Sequence, residues 1–282
     1  MHNFKKYYGF VLILTLMTGA ALPAQTDTTV YAMKADSSVQ STGFVIGEKL
    51  TFKLRYGFIT AGYAEMMAGR ESYKDSVDAY HFQTKARSAA GFSWIYRVKD
   101  EVNSFINYRD FSTIMFEKKL REGSYRADLI TNYAHQDSMA YVEYIRYKSN
   151  MKVRTKTTYQ VKVPPDVQDI LSSFYYIRTR KLEVGKPFFL NNHEKKKVYP
   201  LEIKVYKKET VKVAAGKFRC LLVEPLIKGE GLFNKKGWLR IWLTDDEYKV
   251  PVQMTTEVIV GHITSELIKI EGIPTPLPAK LP

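Results

Sequence analysis

Cysteine is almost absent from this chain of 282 residues: Cys220 is the only one. No internal disulfide can form, so the fold must rest on its apolar core. Cys220 sits in the apolar run Phe218-Arg219-Cys220-Leu221-Leu222-Val223, where a thiol serves as a small buried hydrophobe rather than a nucleophile. Histidine is scarce too. Beyond the first residues only His81, His135, His193 and His262 remain, and none is spaced from another His, a Cys or a carboxylate as metal ligands are. His193-Glu194 runs straight into Lys195-Lys196-Lys197, a poor setting for a cation. The expectation is no metal and no other cofactor.

Also missing are a Gly-x-Ser-x-Gly elbow, a phosphate-binding glycine loop, a dinucleotide fingerprint and any recognised nucleic-acid-binding motif. Asp245-Asp246 is the one adjacent acid pair in an interesting position. Paired carboxylates can hold calcium or do acid–base work. Between two strand-like runs, however, they read as turn residues bonding to the local backbone. Nothing in the chain reads as a catalytic centre.

Long hydrophobic runs are absent as well. The longest, residues 7–17 (YYGFVLILTLM), falls well short of the roughly 18–20 residues that span a bilayer. It follows Lys5 and Lys6 and leads into the small-residue stretch Thr18-Gly19-Ala20-Ala21-Leu22-Pro23-Ala24. That is the layout of a secretory signal peptide, residues 1–24, cleaved near Ala24. No cysteine follows to carry a lipid anchor. The expectation is an exported, periplasmic protein that is soluble after cleavage.

Acid is in short supply relative to base: 43 Lys and Arg face 29 Asp and Glu, a net charge of +14. Loss of Lys5 and Lys6 with the signal peptide takes +14 to +12. Such a balance favours anionic surfaces, which for an exported chain are lipid headgroups, lipopolysaccharide phosphates or acidic glycans rather than nucleic acid, and it equally serves solubility alone.

What is abundant is β-signal. Leu50, Phe52, Leu54 and Tyr56 alternate with Thr51, Lys53 and Arg55, the period of a half-buried strand. The same period recurs at Leu201, Ile203 and Val205, and at Val252, Met254, Thr256, Val258 and Val260. Strand-like runs rich in Tyr, Phe, Val, Ile and Thr also cover 79–86, 114–120, 125–131, 140–146, 153–163, 218–223 and 239–243. Turn signals at 214–217 and 244–247 suggest hairpins. The prediction is a mainly β fold: an antiparallel curved sheet forming a barrel or half-barrel. Lys53, Arg55, Lys152, Arg154 and Lys156 stand where a membrane barrel would face lipid, at about 2–4 kcal/mol each at the midplane, so a soluble sheet is expected.

One segment breaks the period. After Pro164-Pro165, Asp166 offers an N-cap with Asp169 well placed in the first turn, and Val167, Ile170, Leu171, Phe174 and Ile177 or Arg178 fall at helical spacing. An amphipathic helix over 167–180, packed at the opening of the sheet, is expected. A second short helix is expected over 89–96. Residues 25–41 read as a flexible leader and 273–282 as a proline-rich tail, leaving 42–272 as one folded domain.

Several stretches resemble the bacterial family known as domain of unknown function 3108. They are Val45-Ile46-Gly47-Glu48-Lys49-Leu50-Thr51-Phe52, Tyr56-Gly57-Phe58-Ile59-Thr60-Ala61-Gly62, Asp169-Ile170-Leu171-Ser172-Ser173-Phe174-Tyr175-Tyr176, Ala215-Gly216-Lys217-Phe218, and Trp238-Leu239-Arg240-Ile241-Trp242 through Val250-Pro251-Val252. The resemblance implies an exported β-rich protein and brings no catalytic residues to transfer. Its shape is similar to periplasmic lipid and lipoprotein carriers of the Lol type, an analogy of fold alone.

The sequence therefore favours a non-enzymatic envelope protein that binds a lipid, an acyl chain or a lipidated partner in a curved-sheet cavity. Candidate contacts are Phe174, Tyr175, Trp238 and Trp242, with Phe233, Lys235 and Lys236 in a basic, glycine-rich loop suited to an anionic headgroup. The rival readings are an envelope assembly factor that binds another protein, and, less supported, a hydrolase of envelope glycans or lipids.

Overall fold

A computed structural model describes residues 43–74, 77–227, 238–257 and 261–282. The expected signal peptide and leader lie outside the described residues. The strands are β1 (Lys49–Tyr56), β2 (Ile59–Tyr73), β3 (Val77–Ser88), β4 (Lys99–Asn107), β5 (Thr113–Glu122), β6 (Tyr125–Ala134), β7 (Met139–Tyr147) and β8 (Val153–Lys162). After helix α1 (Ile170–Thr179) come β9 (Phe188–Glu194), β10 (Lys197–Val213), β11 (Gly216–Ile227), β12 (Leu239–Thr244), β13 (Pro251–Glu257), β14 (His262–Glu271) and β15 (Lys280–Leu281).

All pairings between these strands are antiparallel and build a single open sheet. Its order runs from β8 down to β1, then from β14 down to β9, with β15 added to β11. Two meanders are thus joined by one long-range seam, where Lys49 pairs with Glu271 and Tyr56 with Ile263. Period-two burial drives the pleat: Leu50 and Phe52 are fully buried, as are Leu201 and Ile203. Register shifts leave one extra residue in each of β2, β5, β8, β10, β13 and β14, bulges that increase twist and curl the sheet into a half-barrel.

Antiparallel alternation gives the half-barrel two distinct ends. The turns β1–β2, β3–β4, β5–β6, β7–β8 and β9–β10 lie at one end, the open end, where β11 and β13 also finish and β12 and β14 begin. The other end is closed by α1. The helix begins beside Ser104 of β4 and finishes beside Glu48 and the β12–β13 turn.

The helix starts later than the sequence suggests, and a different carboxylate caps it. Asp169, not Asp166, is the N-cap: its Oδ1 accepts from Leu171 N at 2.8 Å and Ser172 N at 2.9 Å. Residues 166–168 are committed elsewhere. Asp166 accepts from Asn191 Nδ2, and the Gln168 backbone makes a two-way bridge to Asn191 and His193 of β9. The burial is also broader than one apolar face, because Leu171, Ser172, Ser173, Tyr175, Ile177 and Arg178 are all buried. Tyr175 stacks on Phe82 at 3.8 Å between ring centroids, and Phe44 meets both rings edge-on. Gly43 makes this possible: at φ +61 it lies against the Arg178 carbonyl, where a Cβ would collide.

Two further expectations are corrected. Residues 89–96 form turns rather than a helix, with Ser93 N bonded to Ala89 O and Tyr96 N to Phe92 O; Trp94 and Ile95 stay exposed, so no tertiary packing supports a helix there. The proline-rich tail is not loose. Ile273, Leu277 and Ala279 are buried, Ala279 N donates to Asp246 Oδ2, and Lys280 and Leu281 pair with Phe218 and Lys217. Proline excludes residues from a strand interior, yet it does not stop their neighbours from packing on one.

Candidate functional site

An apolar cleft lies between α1 and the concave face of the sheet. Ile170, Phe174 and Ile177 of α1 face Met66 of β2, Leu201 of β10, Pro225 of β11, Leu239 and Ile241 of β12, and Met254 of β13. Ser173 is the only polar residue in this lining, and it is committed: its Oγ accepts from Asn192 Nδ2 at 2.8 Å. The cleft is partly open and its free space is about 30 Å³, enough for one small group. Pro225 and Leu239 place its wall in the halves of β11 and β12 nearer the open end, with Met254 at the middle of β13. Aromatic packing around Phe44, Phe82 and Tyr175 fills the neighbouring interior.

A second cavity, of about 70 Å³, has the opposite character. Lys118 and Lys195 line it together with Tyr125 and Tyr144, whose hydroxyls are 2.8 Å apart, over a floor of Leu120, Ala127 and Leu129. Lys118 is 4 % exposed; its Nζ makes no hydrogen bond and lies 3.9 Å from Glu194 Oε1. Lys195 is exposed as a residue, yet partial desolvation against this wall lowers its ammonium. Burial likewise lowers His193, which is held between the Tyr133 hydroxyl and the Lys195 carbonyl.

Acidic groups in the interior are held by structure. Burial raises Asp169 to about 6, against the hydrogen bonds from Ser104, Ser172 and Leu171 that favour its charged form. Burial, with Glu122 as a like-charged neighbour, raises Asp100 to about 7. The Cys220 thiol is buried and pushed up to about 12, where it is inert. Asp246 organises the β12–β13 turn, its Oδ1 accepting from Thr244 Oγ1, Tyr248 N and Lys249 N. Asp245 accepts from Lys208. Among the described residues, no three His, Cys, Asp or Glu side chains are grouped to hold a metal, and no helix is long and apolar enough to cross a membrane.

The structure separates the candidate contacts. Phe174 reaches the cleft. Tyr175, one residue on, turns the other way into the aromatic core. β12 sends Leu239 and Ile241 to the cleft, so Trp238 and Trp242 lie on its opposite face. There Arg240 sits over the Trp238 ring, and Trp242 Nε1 donates to Glu209 at 2.8 Å. Phe233, Lys235 and Lys236 lie outside the described residues. Met66, Leu201, Ile241 and Met254 join Phe174 instead; strand alternation marked two of these positions as inward without marking them as a site.

These features define a barrel-like, mainly β protein with one helix across an end and an apolar cleft above it. The chain belongs to the DUF3108 family, described as "Protein of unknown function", whose model matches residues 51–268. No curated protein matches it significantly in sequence. In overall shape it is similar to a β-barrel-like DUF1849 protein from Brucella abortus, with a TM-score of 0.50 and 9 % identity over 82 % of this chain and 99 % of that one. Weaker likenesses, over the same shares of both chains, are to an exported protein of YmcC-like fold from Bacteroides fragilis (0.37, 11 %) and a protein described as a lipoprotein from Parabacteroides distasonis (0.36, 10 %).

Proposed function

We propose that this chain is a non-enzymatic protein of the bacterial envelope whose cleft above α1 receives an acyl chain of a lipid or a lipidated partner. One observation carries the reading: six elements converge on a lining in which nine of ten residues are apolar. Among the described residues that line it there is no converging acid, base or nucleophile. The small resting volume means that an acyl chain enters by displacing Phe174, which is only half-buried. Export to the periplasm rests on the signal-peptide pattern of residues 1–24. The test is titration with a fluorescent fatty acid. Saturable binding that is lost in Phe174→Asp supports the reading. Absence of saturable binding, or equal binding by the variant, overturns it.

A second reading has its own observation. β8 ends the sheet with no strand on its outer side among the described residues, and every residue from Val153 to Thr158 is exposed. Such an edge accepts an added strand from a partner protein, as an assembly factor would use it. Cross-links that cluster on β8 in intact cells would favour this reading.

A further inference from the structure

Ten large hydrophobic side chains are exposed among the described residues, and six of them stand at the open end: Phe58, Ile59, Trp94, Ile95, Met151 and Val153. Phe58 is 98 % exposed and Trp94 82 %, values at which neither ring contributes to the fold. Their turns are neighbours. β1–β2 carries Phe58 and Ile59, the loop after β3 carries Trp94 and Ile95, and Ala89 N bonds to Ala61 O where these elements run side by side. Met151 in the β7–β8 turn and Val153 at the start of β8 stand further round the same rim.

Exposed cations stand at both ends of the half-barrel, Arg70, Lys74, Arg109, Lys162 and Lys217 among those at the other, but exposed carboxylates are sorted away from this rim. Arg87, Arg97 and Lys99 are exposed beside the Phe58–Trp94 turns, and Lys148, Lys152 and Arg154 are exposed beside Met151. The one exposed carboxylate at this end among the described residues is Glu257. Exposed Glu71, Asp78, Asp110, Asp137 and Glu247 all lie at the opposite end. A rim of isolated aromatic and aliphatic tips set among cations suits the interface of an anionic bilayer. There the rings enter the headgroup region and the cations meet phosphate. A protein partner would instead ask for a continuous apolar core ringed by both signs of charge.

We propose that the open end of the half-barrel is a membrane-docking rim, with Phe58 and Trp94 as its anchors and anionic phospholipid as its partner. The inference stands apart from what the cleft binds, because it concerns attachment of the whole protein to a surface.

The experiment is vesicle co-sedimentation of the chain as recovered after export. One set of vesicles contains equal parts phosphatidylglycerol and phosphatidylcholine, and the other phosphatidylcholine alone. The expected result is binding to the anionic vesicles that weakens as salt is raised, and quenching of tryptophan emission by brominated lipid chains that is lost in Trp94→Phe. Phe58→Ser/Trp94→Ser should lower the partition coefficient at least tenfold, about the effect of one buried aromatic ring, while its circular dichroism and thermal melt stay unchanged. Absence of binding, equal binding to both vesicle types, or undiminished binding by the double variant would overturn the proposal. So would concentration-dependent self-association without lipid that the double variant abolishes, which would make the rim a contact between copies of the chain.

Discussion

Arg178 in the last turn of α1 grips Glu48, 130 residues earlier, through two parallel hydrogen bonds of 2.6 and 2.9 Å, with both side chains fully buried. The guanidinium also donates from Nε and Nη2 to the Tyr248 carbonyl. One side chain therefore ties the end of the helix to the entry of β1 and to the β12–β13 turn. That arrangement keeps α1 seated across its end of the half-barrel, and with it the Phe174 side of the cleft.

Removing one partner leaves a buried charge uncompensated, which costs about 3–5 kcal/mol. Glu48→Gln and Arg178→Met should each lower stability by that amount in urea unfolding. The pair Glu48→Leu/Arg178→Met should recover most of the loss. If each single variant cost less than 1 kcal/mol, the pair would not be what seats α1.

Asp100 gives a pH signature. Its folded pKa of about 7 stands above the ordinary carboxylate value because of burial and the neighbouring Glu122. The folded state therefore keeps a proton that the unfolded state has released. The resulting stabilisation is complete below the unfolded value of 3.8 and is lost as pH rises through 7. Asp169, raised to about 6 by burial, acts in the same sense over a lower window. Wild-type stability relative to Asp100→Asn should fall between pH 5 and pH 8, as read by urea unfolding at both. A constant difference would contradict it.

Lys118 and Glu194 are both buried, and at 3.9 Å they are too far apart for a hydrogen bond. Neither charge is well compensated. Replacing both by Lys118→Met/Glu194→Gln should raise the melting temperature, equivalent to roughly 1–4 kcal/mol. Lys118→Met alone, which strands the buried carboxylate, should lower it instead.

Leu277 tests whether the tail belongs to the folded unit. At 2 % exposure it is as deep as core strand positions, so Leu277→Ala should cost about 2–5 kcal/mol. Leu281→Ala, in the half-exposed final pair, should cost far less. Equal and negligible effects in thermal melts would place the tail outside the core.

The sheet was legible wherever inward positions are apolar, and hidden wherever they are polar. Leu50, Phe52 and Leu54 announce β1, and Leu201, Ile203 and Val205 announce β10. β4 buries Asp100 and Ser104, and β9 buries Asn191, Asn192, His193 and Glu194, so neither shows a hydrophobic period. β2 runs from Ile59 into Thr60-Ala61-Gly62, where Gly62 packs against the Arg87 carbonyl of β3, and small residues carry little signal. The pairing of β1 with β14 joins positions more than 200 residues apart, and no local pattern records it. The helix was visible from its spacing, but its cap was not. Asp166 and Asp169 both suit an N-cap, and only the bridge from Gln168 to β9 decides between them. In the site, Phe174 could be named from the helix face. Met66 and Met254 could not, because a strand face looks the same whether it meets a core or a cleft.

The most direct test of an acyl-binding cleft is native mass spectrometry of the chain purified gently from its own periplasm, with organic extraction of whatever it carries. The account predicts a lipid or acyl species at near-unit stoichiometry, displaced in Phe174→Asp. A clean unliganded mass that does not change when envelope lipids are added would contradict it.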